Sequence, residues 1–402
     1  MFVLAIVAPG QGSQTPGFLA PWLELPTFSV RLEWLSAVAG IDLRTHGTAS
    51  DAETIRDTAV AQPLLVAAGL LSALELFPEP SVGFRQVGIA AGHSVGEITA
   101  AAGVGLLSAE AAMVFVRERG KGMAAASAAR ATSMTAVVGG QRDEVLAALD
   151  RHGLTAANDN GSGQIVAAGT VEQLQALAED SPARTRLVPL SVAGAFHTDH
   201  MAPAVERLAT LSQAISTRDA RVRLLSNADG KVVHDGREYL NRLVRQVANP
   251  VRWDLCMQTM TDLGVTGLLE LPPAGTLTGI AKRNLKGVEL FSLNTPDQLD
   301  EAREFVARHG EQEESGDLSL TPTWRLAVSP TKGSFARAEQ VTEGSMLAPG
   351  EVLGHVETLR DSVPVIAPHG GQVIEWLVED KDPVNPGQAL VRLHPGSEPE
   401  EA

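Results

Sequence analysis

Cysteine is almost absent from this chain: one residue, Cys256, among 402. A single thiol excludes an internal disulfide and any cysteine-rich metal site, so a reducing cytoplasm is the expected compartment. Aromatic residues are also scarce, at 4% with one tyrosine, and cations are outnumbered, leaving a formal net charge of −16. Nucleic-acid binding needs a cationic footprint and rings for stacking, and this composition supplies neither. Long apolar runs are missing at the start: MFVLAIVA stops at Pro9-Gly10, too short for a signal or a span. It is expected to be a buried strand, with no membrane partner.

What the chain does contain is 44% apolar residues, enough for sizeable cores, over a length that predicts two or three domains. The charge is uneven. Residues 1–296 hold 24 basic and 28 acidic groups, whereas residues 297–402 hold 8 and 20. Up to about residue 296, short apolar runs such as Val3–Ala8 and Val87–Ala91 alternate with helical stretches such as 53–76, as in a parallel sheet with covering helices.

One stretch has a different rhythm. Strands are predicted at 132–138, 155–158, 164–168 and 186–190 and helices at 142–152 and 171–179, the second opening on a capping box, Thr170 with Gln173. The order βαββαβ is that of a ferredoxin-like unit, placed here as an insert over 130–192 in an α/β core made of 1–129 and 193–310. A last helix is announced by Thr295-Pro296-Asp297-Gln298 and runs to about His309. HGEQEESGDLSLTPT then loses periodicity and gains charge, which marks 311–321 as an acidic linker. Short strands punctuated by Gly and Pro follow, a separate all-β domain over 322–395.

AGHSVGEITA places Ser94 in a G-x-S-x-G pattern between a strand, VGIAA, and a helix. A nucleophile on such a turn needs neighbours without side chains, and the helix N-terminus behind it favours developing negative charge. Its alkoxide also needs a base and an oxyanion hole. The glycine-rich turn at 10–14, GQGSQ, offers backbone N–H groups; it lacks the G-x-x-x-x-G-K-[ST] of a phosphate loop. Candidate bases are His93, His197 and His200. In extended chain His93 points away from Ser94, and no third ligand cluster supports a metal pair at His197 and His200. Spacing alone does not choose His197.

Together, PGQGSQ (9–14), GHSVGE (92–97), RGK (119–121), GQIVAAG (163–169), FHTDHM (196–201), VRQVANPVRW (244–253) and LTGIAKR (277–283) resemble the malonyl-CoA:acyl-carrier-protein transacylases. The resemblance implies an α/β-hydrolase-like large subdomain carrying the ferredoxin-like insert. It implies Ser94 as nucleophile, His197 as base, and the backbone carbonyl of Gln246 orienting the imidazole. It implies the N–H groups of Gln11 and Val95 as oxyanion hole, Arg119 holding the malonyl carboxylate, and Asn160 and Phe196 at the acyl pocket. Without it, Arg119 reads as a surface ion pair with Glu118 or Glu110. The implied reaction is ping-pong transfer from malonyl-CoA to acyl carrier protein, without a cofactor. The alternatives are a serine thioesterase on the same elbow and a scaffold that binds acyl carrier protein. Lys282, Arg283 and Lys286 form a candidate docking patch for that acidic carrier. One departure is Pro272-Pro273-Ala274-Gly275, where the family has a Gly-Pro-Gly turn.

The C-terminal stretch, EGSMLAPGEVLGHVETLRDSVPVIAPHGGQVIEWLVEDKDPVNPGQALVRL, resembles biotinyl and lipoyl carrier domains of barrel-sandwich form. At the hairpin tip Arg360 stands where the modified lysine belongs. Guanidinium stays protonated and is no amine nucleophile, so neither biotin nor lipoate is expected. The two readings of the module are docking onto a biotin-dependent carboxylase and a stabilising appendage.

Overall fold

The computed structural model describes residues 3–192, 194–310, 325–367 and 371–394. The chain divides into two compact units, 1–314 and 315–402. The linker expected at 311–321 lies outside the described residues.

The first unit is built on a five-stranded parallel sheet in the order Glu289–Ser292, Gly267–Glu270, Leu4–Ala8, Ile89–Gly92, Arg223–Leu224. Leu4, Ala5 and Val7 in the middle strand are fully buried, as expected for a strand with helices on both faces. The apolar helix Thr58–Leu76 is long enough to cross a membrane by composition, yet most of it is packed inside this core. The single helix predicted from 53 to 76 is broken. A short 3₁₀ turn covers Thr54–Arg56, and Asp57 then caps the main helix by accepting from the Ala59 N–H at 2.7 Å. A carboxylate that satisfies a free helix N–H from a non-helical residue starts a helix there, which overrides the continuous pattern. The last helix is divided in the same way, with a 3₁₀ turn at Pro296–Gln298 before Leu299–His309.

Strands Thr132–Gly139, Thr155–Asp159, Gln164–Thr170 and Thr185–Pro189 form an antiparallel sheet whose order is fourth, first, third, second. Helices Arg142–Arg151 and Val171–Glu179 fill the two α positions, the latter with its capping box formed by Thr170 and Gln173. Val251–Arg252 adds a parallel edge strand to Thr155–Asp159, the fifth strand of this sheet.

Among its described residues the second unit forms two four-stranded antiparallel sheets around Phe335, Leu353, Val356, Leu390 and Val391. Its hairpin of Val352–Glu357 and Ser362–Ile366 turns at 358–361, where the Thr358 N–H donates to Asp361 O at 2.8 Å and Leu359 and Arg360 are exposed.

Candidate active site

Parallel pairing puts Ala8 opposite Gly92, so both strands end at the same level. The His93 N–H donates to Ala8 O at 3.0 Å, and the chain then reverses into the helix Gly96–Gly103 with Ser94 at a left-handed φ of 53°. Both glycines of the motif are sterically required. A Cβ on Gly92 would lie 1.9 Å from the Gly96 carbonyl carbon, and one on Gly96 would lie 2.2 Å from Ala8 O. The serine is thus held in a strained conformation because its surroundings leave it no other.

His197, also at a left-handed φ, 62°, places Nε2 2.7 Å from Ser94 Oγ. Its Nδ1 lies 2.8 Å from the backbone oxygen of Gln246, and its N–H donates to Val247 O at 3.1 Å. A carbonyl only accepts, so Nδ1 carries the proton and Nε2 is free to accept from the serine hydroxyl. Burial, helped by the Arg119 charge, pushes the imidazole down to about 3. The imidazole is therefore neutral at physiological pH.

Arg119 is buried, not on a helix surface; it is Glu118 that makes the surface ion pairs, with Arg117 and Arg207. Arg119 Nη2 donates to Gln246 Oε1 at 2.7 Å and lies 3.4 Å from Ser94 Oγ. Its Nη1 is buried without a hydrogen-bond partner. Burial lowers this guanidinium to about 10, which still leaves it a cation. A buried charged donor of this kind favours an anionic partner.

The Ser94, Gly96 and Glu97 N–H groups are engaged by Asn227, His93 and Ser94, while the Val95 N–H makes no hydrogen bond among the described residues. Gly10 lies against the His93 carbonyl, which brings the 10–14 turn, and Gln11 with it, to the same end of the sheet. Asn160 Oδ1 accepts from His93 Nε2–H at 3.0 Å, so it braces the turn through that histidine, whose ring also packs edge-on against Trp253. Phe196 is buried in the main core directly before His197. Pro272 and Pro273, where the motif departs, are joined by a cis peptide.

Sequence reasoning missed Asn227, Glu97 and the side chain of Gln246. Asn227 accepts from the Ser94 N–H and donates to Gly92 O, both at 2.8 Å. Glu97 accepts from the Asn227 N–H at 2.7 Å, from Tyr239 Oη at 3.1 Å and from Gln246 Nε2. The one available signal was a carboxylate in an otherwise small and apolar helix, EITAAAG.

A family profile described as an acyl transferase domain matches residues 6–316. Malonyl CoA-acyl carrier protein transacylase of Mycobacterium tuberculosis H37Rv is 48% identical over 299 residues, 74% of this chain and 99% of the relative. The Escherichia coli K12 protein of that name is 31% identical over 313 residues, 76% and 100% respectively. The chain belongs to the malonyl-CoA:acyl carrier protein transacylase family. A crystal structure of the M. tuberculosis enzyme superimposes with a TM-score of 0.72 over 75% of this chain and 99% of that one. A malonyl-transacylase solved in complex with a type II polyketide acyl-carrier protein, 29% identical, gives 0.69 over 75% and 99%. The family match ends at residue 316, so most of the second unit lies beyond the transacylase region.

Proposed function

We propose that this transacylase moves a malonyl group from malonyl-CoA to the phosphopantetheine thiol of an acyl carrier protein, through an ester on Ser94. The observation that carries the reading is the unpartnered Arg119 Nη1 next to the Ser94–His197 pair. A guanidinium fork matches a carboxylate, so a dicarboxylic acyl group satisfies the buried donor that an acetyl group leaves bare.

In the forward half-reaction the Ser94 proton passes to His197 Nε2 as Oγ attacks the thioester carbonyl. The oxyanion is received by the N–H groups of Val95 and Gln11, and collapse expels the CoA thiolate, which takes the proton back from His197. The carrier thiol repeats the sequence in reverse roles. Phe196, adjacent to the base, disfavours an α-methyl substituent, a preference of about 10–200-fold at most. Lys282, Arg283 and Lys286 supply the docking charge for an acidic carrier. Support comes from the exposure of all three around the C-terminal end of the helix Thr276–Asn284.

The second unit is, in this reading, a barrel-sandwich of the biotinyl and lipoyl type that carries no prosthetic group, since Arg360 at the exposed turn has no amine to acylate. Its fit to a biotin-dependent carboxylase rests on that shape and on the acidic C-terminal quarter; recruitment would raise malonyl-CoA locally. A pull-down with the full chain that recovers no carboxylase subunit speaks against it.

Intact-mass spectrometry after mixing with malonyl-CoA tests the central claim: one malonyl mass is expected, lost in Ser94→Ala. Steady release of free malonate without an acceptor would instead establish the thioesterase. Arg119→Ala is expected to lower malonyl transfer by about 100-fold while sparing acetyl transfer, because truncating one partner of a buried charged pair costs about 2–5 kcal/mol.

A further inference from the structure

The buried cation at 119 has a buried anion close by. Glu97 and Arg119 are both 1% exposed, and Gln246 spans the gap: its Oε1 accepts from Arg119 Nη2 while its Nε2 donates to Glu97 and to Ser94 O. The amide is fixed in one orientation because a carboxylate only accepts and a guanidinium only donates. The reaction as described above has no part for Glu97.

We propose that Glu97 is the resident counter-charge of Arg119, acting through the Gln246 amide, and that it takes up a proton from solvent when the malonyl carboxylate seats on Arg119. The inference rests on the malonyl reading. Its logic is electrostatic. In the free site one anion balances one cation, and an entering carboxylate makes two anions around a single buried cation, an arrangement that drives one of them to protonate. The substrate carboxylate has the direct contact with Nη1, so Glu97 yields. The proton is returned to solvent when the acyl group leaves.

The other groups facing Glu97 do not take this role. They are Arg119 from the helix Ala109–Ala129, Tyr239 from Gly236–Gln246 and Cys256 from Trp253–Asp262. Burial and the Glu97 charge push the Tyr239 hydroxyl and the Cys256 thiol up, so both stay neutral. Glu97 itself is raised to about 7, burial outweighing its hydrogen bonds and the pull of Arg119. It is thus poised where a nearby second anion changes its state. Glu97 is a positioning residue: it fixes the Gln246 amide, which aims the fork, and it sets the charge the fork presents. Acetyl groups bring no carboxylate and leave the balance untouched.

The test is calorimetric titration of the full-length Ser94→Ala protein with malonyl-CoA at pH 7.5, in buffers of differing ionisation enthalpy, with acetyl-CoA as the control for the CoA phosphates. Malonyl-CoA is expected to bind with uptake of roughly 0.5–0.8 proton beyond acetyl-CoA. Its affinity should weaken above pH 7 by up to about tenfold per pH unit. Adding Glu97→Gln should abolish both. Equal proton counts for the two thioesters would overturn the proposal, as would uptake that persists in the double variant. Should the double variant fail to fold, the contrast between the thioesters decides alone. Failure of the malonyl reading looks different: wild-type Ser94 then gains no malonyl mass, whereas failure of this inference leaves malonylation intact without the proton.

Discussion

His197 Nδ1 donates to the backbone oxygen of Gln246 at 2.8 Å, so this imidazole is oriented by a neutral carbonyl and not by a carboxylate. The same residue turns its side chain to Arg119. Backbone and side chain of one glutamine therefore serve the two halves of the site.

This division predicts a split in kinetics. Gln246→Ala keeps the carbonyl that orients His197 but removes the acceptor for Arg119 and the donor to Ser94 O. A hydrogen bond to a charged group contributes about 1.5–3 kcal/mol, so KM for malonyl-CoA is expected to rise roughly 10- to 100-fold, with a smaller change in kcat. Steady-state kinetics decide. A large fall in kcat at unchanged KM would show that the side chain is not serving the clamp.

Buried neutral imidazoles give the fold an acid-sensitive side. His197 is pushed down to about 3 and His93 is lowered by burial, while both are free to protonate once unfolded. Between about pH 6.5 and 3 the unfolded chain binds more protons than the native one, so stability rises with pH across this window and is lost as pH falls. Thermal unfolding of the first unit at pH 4.5 and 6.5 is expected to show a lower midpoint at the acid value. His197→Gln should reduce the difference; an unchanged pH dependence in that variant would mean His197 is not its source.

Asn227 bridges the elbow from inside the core. Replacing it with alanine leaves the Ser94 N–H and the Gly92 carbonyl without their partners, at a cost of about 2–4 kcal/mol. Urea unfolding should report that loss of stability together with a fall in the malonylation rate, since the strained turn at Ser94 depends on this brace. Full activity with unchanged stability would refute the bracing role.

In the second unit Lys381 sits at φ 70°, a left-handed position that glycine adopts without steric penalty. Lys381→Gly is expected to stabilise that unit by about 0.5–1 kcal/mol, the relief of strain outweighing glycine's larger unfolded-state entropy. A lower denaturation midpoint would show that the lysine's own contacts matter more.

Local chemistry is what the sequence determined by itself. The periodicity of the βαββαβ insert, the capping box at Thr170 and the glycines around Ser94 act over a few residues, so each was legible in a short window. Boundaries failed where a single side chain intervened, as Asp57 did by capping a helix expected to start earlier. The choice of His197 over His93 and His200 was open on spacing and came only through resemblance; the fold is what sets its Nε2 2.7 Å from Ser94 Oγ. Arg119 was the sharpest ambiguity. Its own helix offers it a glutamate neighbour and a solvent face, and burial is decided by packing against residues as far away as Gln246, 127 positions along the chain. Glu97, Gln246, Asn227 and Tyr239 likewise meet only once the helices are stacked on the sheet. A buried polar network has no periodic signature: each member is an ordinary polar residue in its own segment, and its meaning lies in which partner satisfies it when water is gone.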